Sequence, residues 1–88
     1  MDVRGVDPRD VRWEVDRPRY RVYFWTAPAD GVGTPSSDEH ELSGAHVAEV
    51  LAWAAEQAAE RAASWHEVFV VVDASVEGRG LVRLTPVR

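Results

Sequence analysis

Apolar positions recur along the chain with two periods, and each period predicts a different kind of element. Val11, Trp13 and Val15 alternate with Arg12, Glu14 and Asp16, the two-residue repeat of a half-buried strand. Arg17-Pro18 closes that run, because proline has no amide to donate to a ladder. Residues 19–26 are dense in aromatic and β-branched side chains and predict the strongest strand. Tyr20, Val22 and Phe24 point one way from it; Arg19, Arg21, Tyr23 and Trp25 point the other. Residues 66–75 are β-branched and apolar on both faces, as a central strand is. After a Gly-containing hairpin connection at 76–80, the last strand sets Val82 and Leu84 against Leu81, Arg83 and Thr85.

From Ala45 to about Trp65 the period lengthens to that of a helix, with no Gly or Pro inside. Val47, Val50, Leu51, Ala54, Ala58, Ala62 and Trp65 form its main apolar stripe. Ala48, Ala52, Ala55, Ala59 and Ala63 form a second ridge of small residues beside it. Glu49, Glu56 and Glu60 share the polar side, with Trp53 in its middle. About 21 residues at ~1.5 Å each give a helix of roughly 31 Å, long enough to overhang so small a domain. Asp38–Leu42 reads either as a short strand or as a helix start boxed by Asp38 and Glu41; Ser43-Gly44 favours the strand, with Ser43 as N-cap.

The order β-β-(β)-α-β-β predicts a small two-layer α+β domain: a four- or five-stranded, mainly antiparallel sheet with one long helix on one face. Residues 1–10 read as a loose arm and residues 11–88 as one domain. The eleven residues 27–37, with two Pro and two Gly, read as a long connection or a lid.

Composition removes whole classes of chemistry. The 88 residues contain no cysteine, which excludes disulfides, thiolate metal sites and a thiol nucleophile. All ten basic residues are arginine, so Schiff-base chemistry and lysine phosphate loops are also excluded. The three histidines match no zinc-site spacing, and Asp38, Glu39 and Glu41 match no calcium loop. Ser43-Gly44 is not a nucleophile elbow, and His66 sits where it would settle the last helical carbonyls. The expectation is a non-enzyme with no cofactor and no metal.

The net charge of −5 is unevenly spread. Residues 1–29 sum to +1, residues 30–77 to −9 and residues 78–88 to +3. An acidic chain without an RNP-type motif opposes nucleic-acid binding. No apolar run approaches the ~20 residues of a membrane span, and the first residues lack the apolar core of a secretory signal, so the cytoplasm is the expected location.

If the helix covers Tyr20, Val22 and Phe24, then Arg19, Arg21, Tyr23, Trp25, Phe69, Val71, Leu81 and Arg83 share the opposite face of the sheet. That aromatic and basic patch predicts a surface for a protein partner, with cover by the chain's own arm or loop as the alternative. The strings YRVYFW (20–25), DEHELSGAHVAEVLAWA (38–54) and GRGLVRL (78–84) resemble short actinomycete proteins with no assigned activity. That resemblance implies a shared fold and carries no site residues. The leading expectation is a cytoplasmic interaction module that forms a homodimer. The alternative is an acidic inhibitor of the immunity or antitoxin type, gripping a basic protein with Glu49, Trp53, Glu56 and Glu60. A small-ligand binder under the 27–37 loop comes third.

Overall fold

The computed structural model describes residues 1–74, 76 and 78–87. It contains a 3-10 turn at Pro8–Asp10, then β1 (Tyr20–Thr26), β2 (Ser36–Leu42), α1 (Val47–Glu60), β3 (Trp65–Ala74) and β4 (Gly78–Arg83). The strands form one sheet in the order β2-β1-β3-β4, every neighbouring pair antiparallel, with α1 packed on one face. This is the expected two-layer α+β domain with four strands.

β1 organises the core because both of its edges are paired. Val22 faces His40 on β2 and Val68 on β3; Tyr20 faces Leu42 and Val70. On the helix side Tyr20, Val22, Phe24 and Val68 are buried against Val50, Ala54 and Ala58. Alanine at 54 and 58 lets the helix backbone approach the aromatic rings closely, so the small residues on this face are packing residues.

The strand expected at Val11–Val15 does not form. These residues are extended but unpaired, with Val11, Trp13 and Val15 exposed at 68%, 69% and 61%. The segment leads directly into β1, both of whose edges are taken by β2 and β3, so it cannot pair beside the strand it precedes. Val71 donates its amide to the Arg19 carbonyl, and all of residues 1–17 are exposed.

The helix is shorter than its sequence suggests, at 14 residues, or about 21 Å. Its N-cap is His46 rather than Ser43, and the His46 amide donates to the Glu49 carboxylate. Gly44, at φ +72°, turns the chain between β2 and the helix. At the other end Ala62 takes φ +52°; its amide donates to the Ala59 carbonyl and that of Ala63 to the Ala58 carbonyl, a Schellman closure. Backbone amides therefore settle those carbonyls, not His66, which lies in β3 opposite Phe24.

The buried stripe is also rotated from its expected position. Val47 and Leu51 are exposed, whereas Trp53 and Gln57 are half-buried. β4 starts at Gly78, so the expected hairpin connection is partly strand; Ser75 and Glu77 of the expected elements lie outside the described residues.

Candidate interaction surface

Strand pairing decides what the helix-free face carries. Since Arg21 lies opposite both Glu41 and Phe69, and Phe69 opposite Arg83, alternate residues of four strands meet on one side. All eight residues expected there — Arg19, Arg21, Tyr23, Trp25, Phe69, Val71, Leu81 and Arg83 — are on that face. The pairing adds residues that were not singled out as site residues: Glu41 from β2, Trp65, Glu67 and Asp73 from β3, and Arg79 from β4.

Aromatic side chains form a layer across β1 and β3. Trp25 and Trp65, directly opposite in the register, stack with centroids 5.7 Å apart and planes 9° from parallel. Tyr23 and Phe69 tilt together at 5.2 Å. The Arg83 guanidinium lies over Phe69, 4.9 Å from its centroid. Phe69 is thus buried by its neighbours although no element among the described residues covers this face. Lateral packing of this kind fixes the rings in place before any partner arrives.

The face is not basic, contrary to the sequence expectation. Arg19 reaches Asp73 at 2.5 Å and Glu41 at 3.7 Å, so it bridges β3 and β2 across its own strand. Arg21 donates to Glu41 at 3.2 Å, Arg79 to Asp73 at 2.9 Å, and Arg83 pairs with Glu67 at 2.5 Å. Glu67 also accepts the Trp25 indole N–H at 2.6 Å. The Arg79 hydrogen bond, supported by Arg19, holds the Asp73 carboxyl below the ordinary aspartate range. Glu41, with Tyr23 beside it, raises Arg21 above the usual guanidinium value. The reason is register: the acids of the −9 middle segment lie on β2 and β3, directly beside arginines of β1 and β4. Guanidiniums committed in this way leave a neutral, aromatic face, poorly suited to phosphates.

The second expected surface is changed by Trp53. Its indole packs edge-on against Phe24 at 5.8 Å and His40 at 6.2 Å, at the margin of the core. It is therefore neither an exposed contact residue in the middle of the glutamates nor a residue under the long loop. Glu49, Glu56 and Glu60 remain exposed without it, and Glu49 is used in the helix cap.

Near the far end of the same region Asp38 pairs with Arg61 and with His40 at 3.0 Å, and Arg61 lies 4.5 Å from the centroid of Phe24. The His40 hydrogen bond first, then Arg61, lowers the Asp38 carboxyl below its ordinary range. A shallow cleft beside them is lined by Thr26, Ala63 and, from the end of the expected 27–37 loop, Ser36 and Ser37, which open β2. Residues 27–35 turn on themselves, Gly31 donating to the Pro28 carbonyl and the Val32 amide to the Asp30 carboxylate.

Among the described residues, no three His, Asp or Glu side chains are placed to hold a metal ion. No helix among them is long and apolar enough to cross a membrane. The chain matches no family model, no curated protein and no solved structure, and its functional reading stands on this geometry alone.

Proposed function

We propose that this chain is a non-enzymatic, cytoplasmic protein–protein interaction module that associates with a second copy of itself through the open face of its sheet. The observation that carries this reading is the aromatic layer of half-buried Tyr23, Trp25 and Trp65 around buried Phe69, crossed by no element among the described residues and held in place by ion pairs. Rigid aromatics lose little conformational freedom on contact, which makes them the usual anchors of a protein interface. A two-fold arrangement sets the neutral face against its own copy without opposing like charges across a whole surface.

Sedimentation or light scattering over a range of concentrations tests this. At about 100 μM the chain is expected to run as a dimer, a concentration well above a micromolar Kd. Leu81→Glu, a charge set into the patch on an exposed strand, is expected to yield a folded monomer. A wild-type chain that stays monomeric at that concentration defeats the proposal.

A further inference from the structure

The open face is small for the task just proposed. Four strands at ~4.8 Å spacing and seven residues at ~3.4 Å give a face of roughly 19 × 24 Å, or about 450 Å² in projection. A stable interface buries about 800 Å² on each partner, so further surface has to contribute. Two unsatisfied features lie elsewhere on the molecule. One is the arm at Val11–Val15, strand-patterned, exposed and unpaired. The other is β4, one of the two edge strands, whose outer hydrogen-bonding groups meet no strand among the described residues.

On the helix side of β4 lie Gly80 and exposed Val82, followed by exposed Leu84. This is an apolar strip alongside an open edge. We infer that the Val11–Val15 arm of one copy adds as a fifth, antiparallel strand to β4 of a second copy, in a reciprocal exchange. The inference rests on the self-association proposed above and names a contact that completes it.

Side-chain parity and charge select a register. For Val11, Trp13 and Val15 to meet the apolar strip, they must lie opposite even-numbered residues of β4. Placing Trp13 opposite Gly80 sets Val11 opposite Val82 and Glu14 opposite Arg79, with Arg12 opposite Leu81. Shifting by two residues in either direction instead sets Arg12 against Arg83 or Arg79, a like-charge pair. Gly80 has open space where a Cβ would stand, and the Trp13 indole fills that space.

Exchange between copies follows from where the arm leaves the sheet. Arg17 lies beside Gly44, Ala45 and His46, at the corner between β2 and α1, on the side away from β4. To reach its own β4 the chain would have to cross about three strand spacings, ~14 Å, with the few residues 16–19 fully stretched.

The absence of cysteine makes a direct test simple. A Glu14→Cys chain mixed with an Arg79→Cys chain under mild oxidation should yield mainly the mixed, disulfide-linked pair, because opposed strand positions fall within disulfide reach. In parallel, Trp13→Ser in the full chain should weaken dimerisation by about tenfold or more. It should leave the far-ultraviolet spectrum unchanged, since Trp13 is outside the core. A statistical mixture of linked pairs, or a Trp13→Ser chain that dimerises like the parent, overturns the strand exchange. If Trp13→Ser dimerises like the parent while Leu81→Glu is monomeric, the strand exchange is overturned and the open face mates without the arm. A parent chain that is monomeric at about 100 μM overturns both readings.

Discussion

Glu67 is the residue on which the order of the open face depends. Its side chain is only 13% exposed, and its two oxygens serve different partners: the Trp25 indole N–H at 2.6 Å and Arg83 at 2.5 Å. Replacing it with alanine frees both. The half-buried indole hydrogen bond to a carboxylate contributes about 1–2 kcal/mol, toward the lower end because the freed N–H can reach water. Arg83 is a third exposed, so its ion pair adds less than about 1 kcal/mol after solvent screening. Glu67→Ala should therefore cost about 2 kcal/mol, a fall in Tm of roughly 8–16 °C for a domain of this size. Glu67→Gln keeps an acceptor for the indole while removing the charge that faces Arg83, and should cost about half as much. Urea unfolding followed by circular dichroism measures both. The stacked Trp25–Trp65 pair provides a second readout, an exciton couplet in the far ultraviolet, which should shrink in Glu67→Ala and persist in Glu67→Gln. An alanine variant within about 0.5 kcal/mol of the parent, with its couplet intact, would refute the claim that Glu67 holds the aromatic layer in place.

Three further outcomes follow from the same structure. Ala62→Gly should stabilise the domain by about 0.5–1 kcal/mol in thermal unfolding, because alanine at φ +52° carries steric strain that exceeds the entropy cost of glycine; a loss of stability would count against the left-handed closure. Trp53→Ala should lower stability by about 2–4 kcal/mol, since it strips the ring packed on Phe24 and His40; a surface residue at this position would change Tm little. The carboxyls of Asp38 and Asp73 both have folded pKa values below their unfolded ones, so their contribution is complete above about pH 4 and is lost as pH falls through the folded values. Denaturant titrations across that window should show stability falling on the acid side, and Asp73→Asn should flatten the fall.

The architecture and the composition of the open face were legible because both depend on alternation. Tyr20, Val22 and Phe24 declare the buried side of β1, and every odd neighbour follows from strand geometry. What was not legible depends on magnitudes that a periodic pattern does not weigh. A helical stripe counts Leu51 and Val47 as core, but the single large ring of Trp53 outweighs them and turns the helix toward β2. The helix end was hidden because the chain reverses at Ala62, a residue that carries no stop signal. Charge pairing was hidden for another reason: the proximity of Arg19 to Asp73 spans 54 residues and exists only in the folded register.

Register also explains why the two sheet edges are not equivalent. The outer strand β2 carries Asp38, Glu39 and Glu41 within seven residues, so pairing two such edges would bring acids together along the whole ladder. Pairing two copies of β4 about Leu81 would set Arg79 against Arg83 at both ends, which is again like against like. Neither edge is therefore suited to its own copy. A strand complementary to β4 needs apolar residues at alternate positions on the helix side and an acid opposite Arg79. Val11–Val15 meets both conditions: its odd positions are apolar, and Glu14 falls opposite that arginine when Trp13 meets Gly80. The arginines that keep β4 from pairing with itself are thus the groups that would select the arm, and the pattern that failed to make a strand within one chain acquires a use between two.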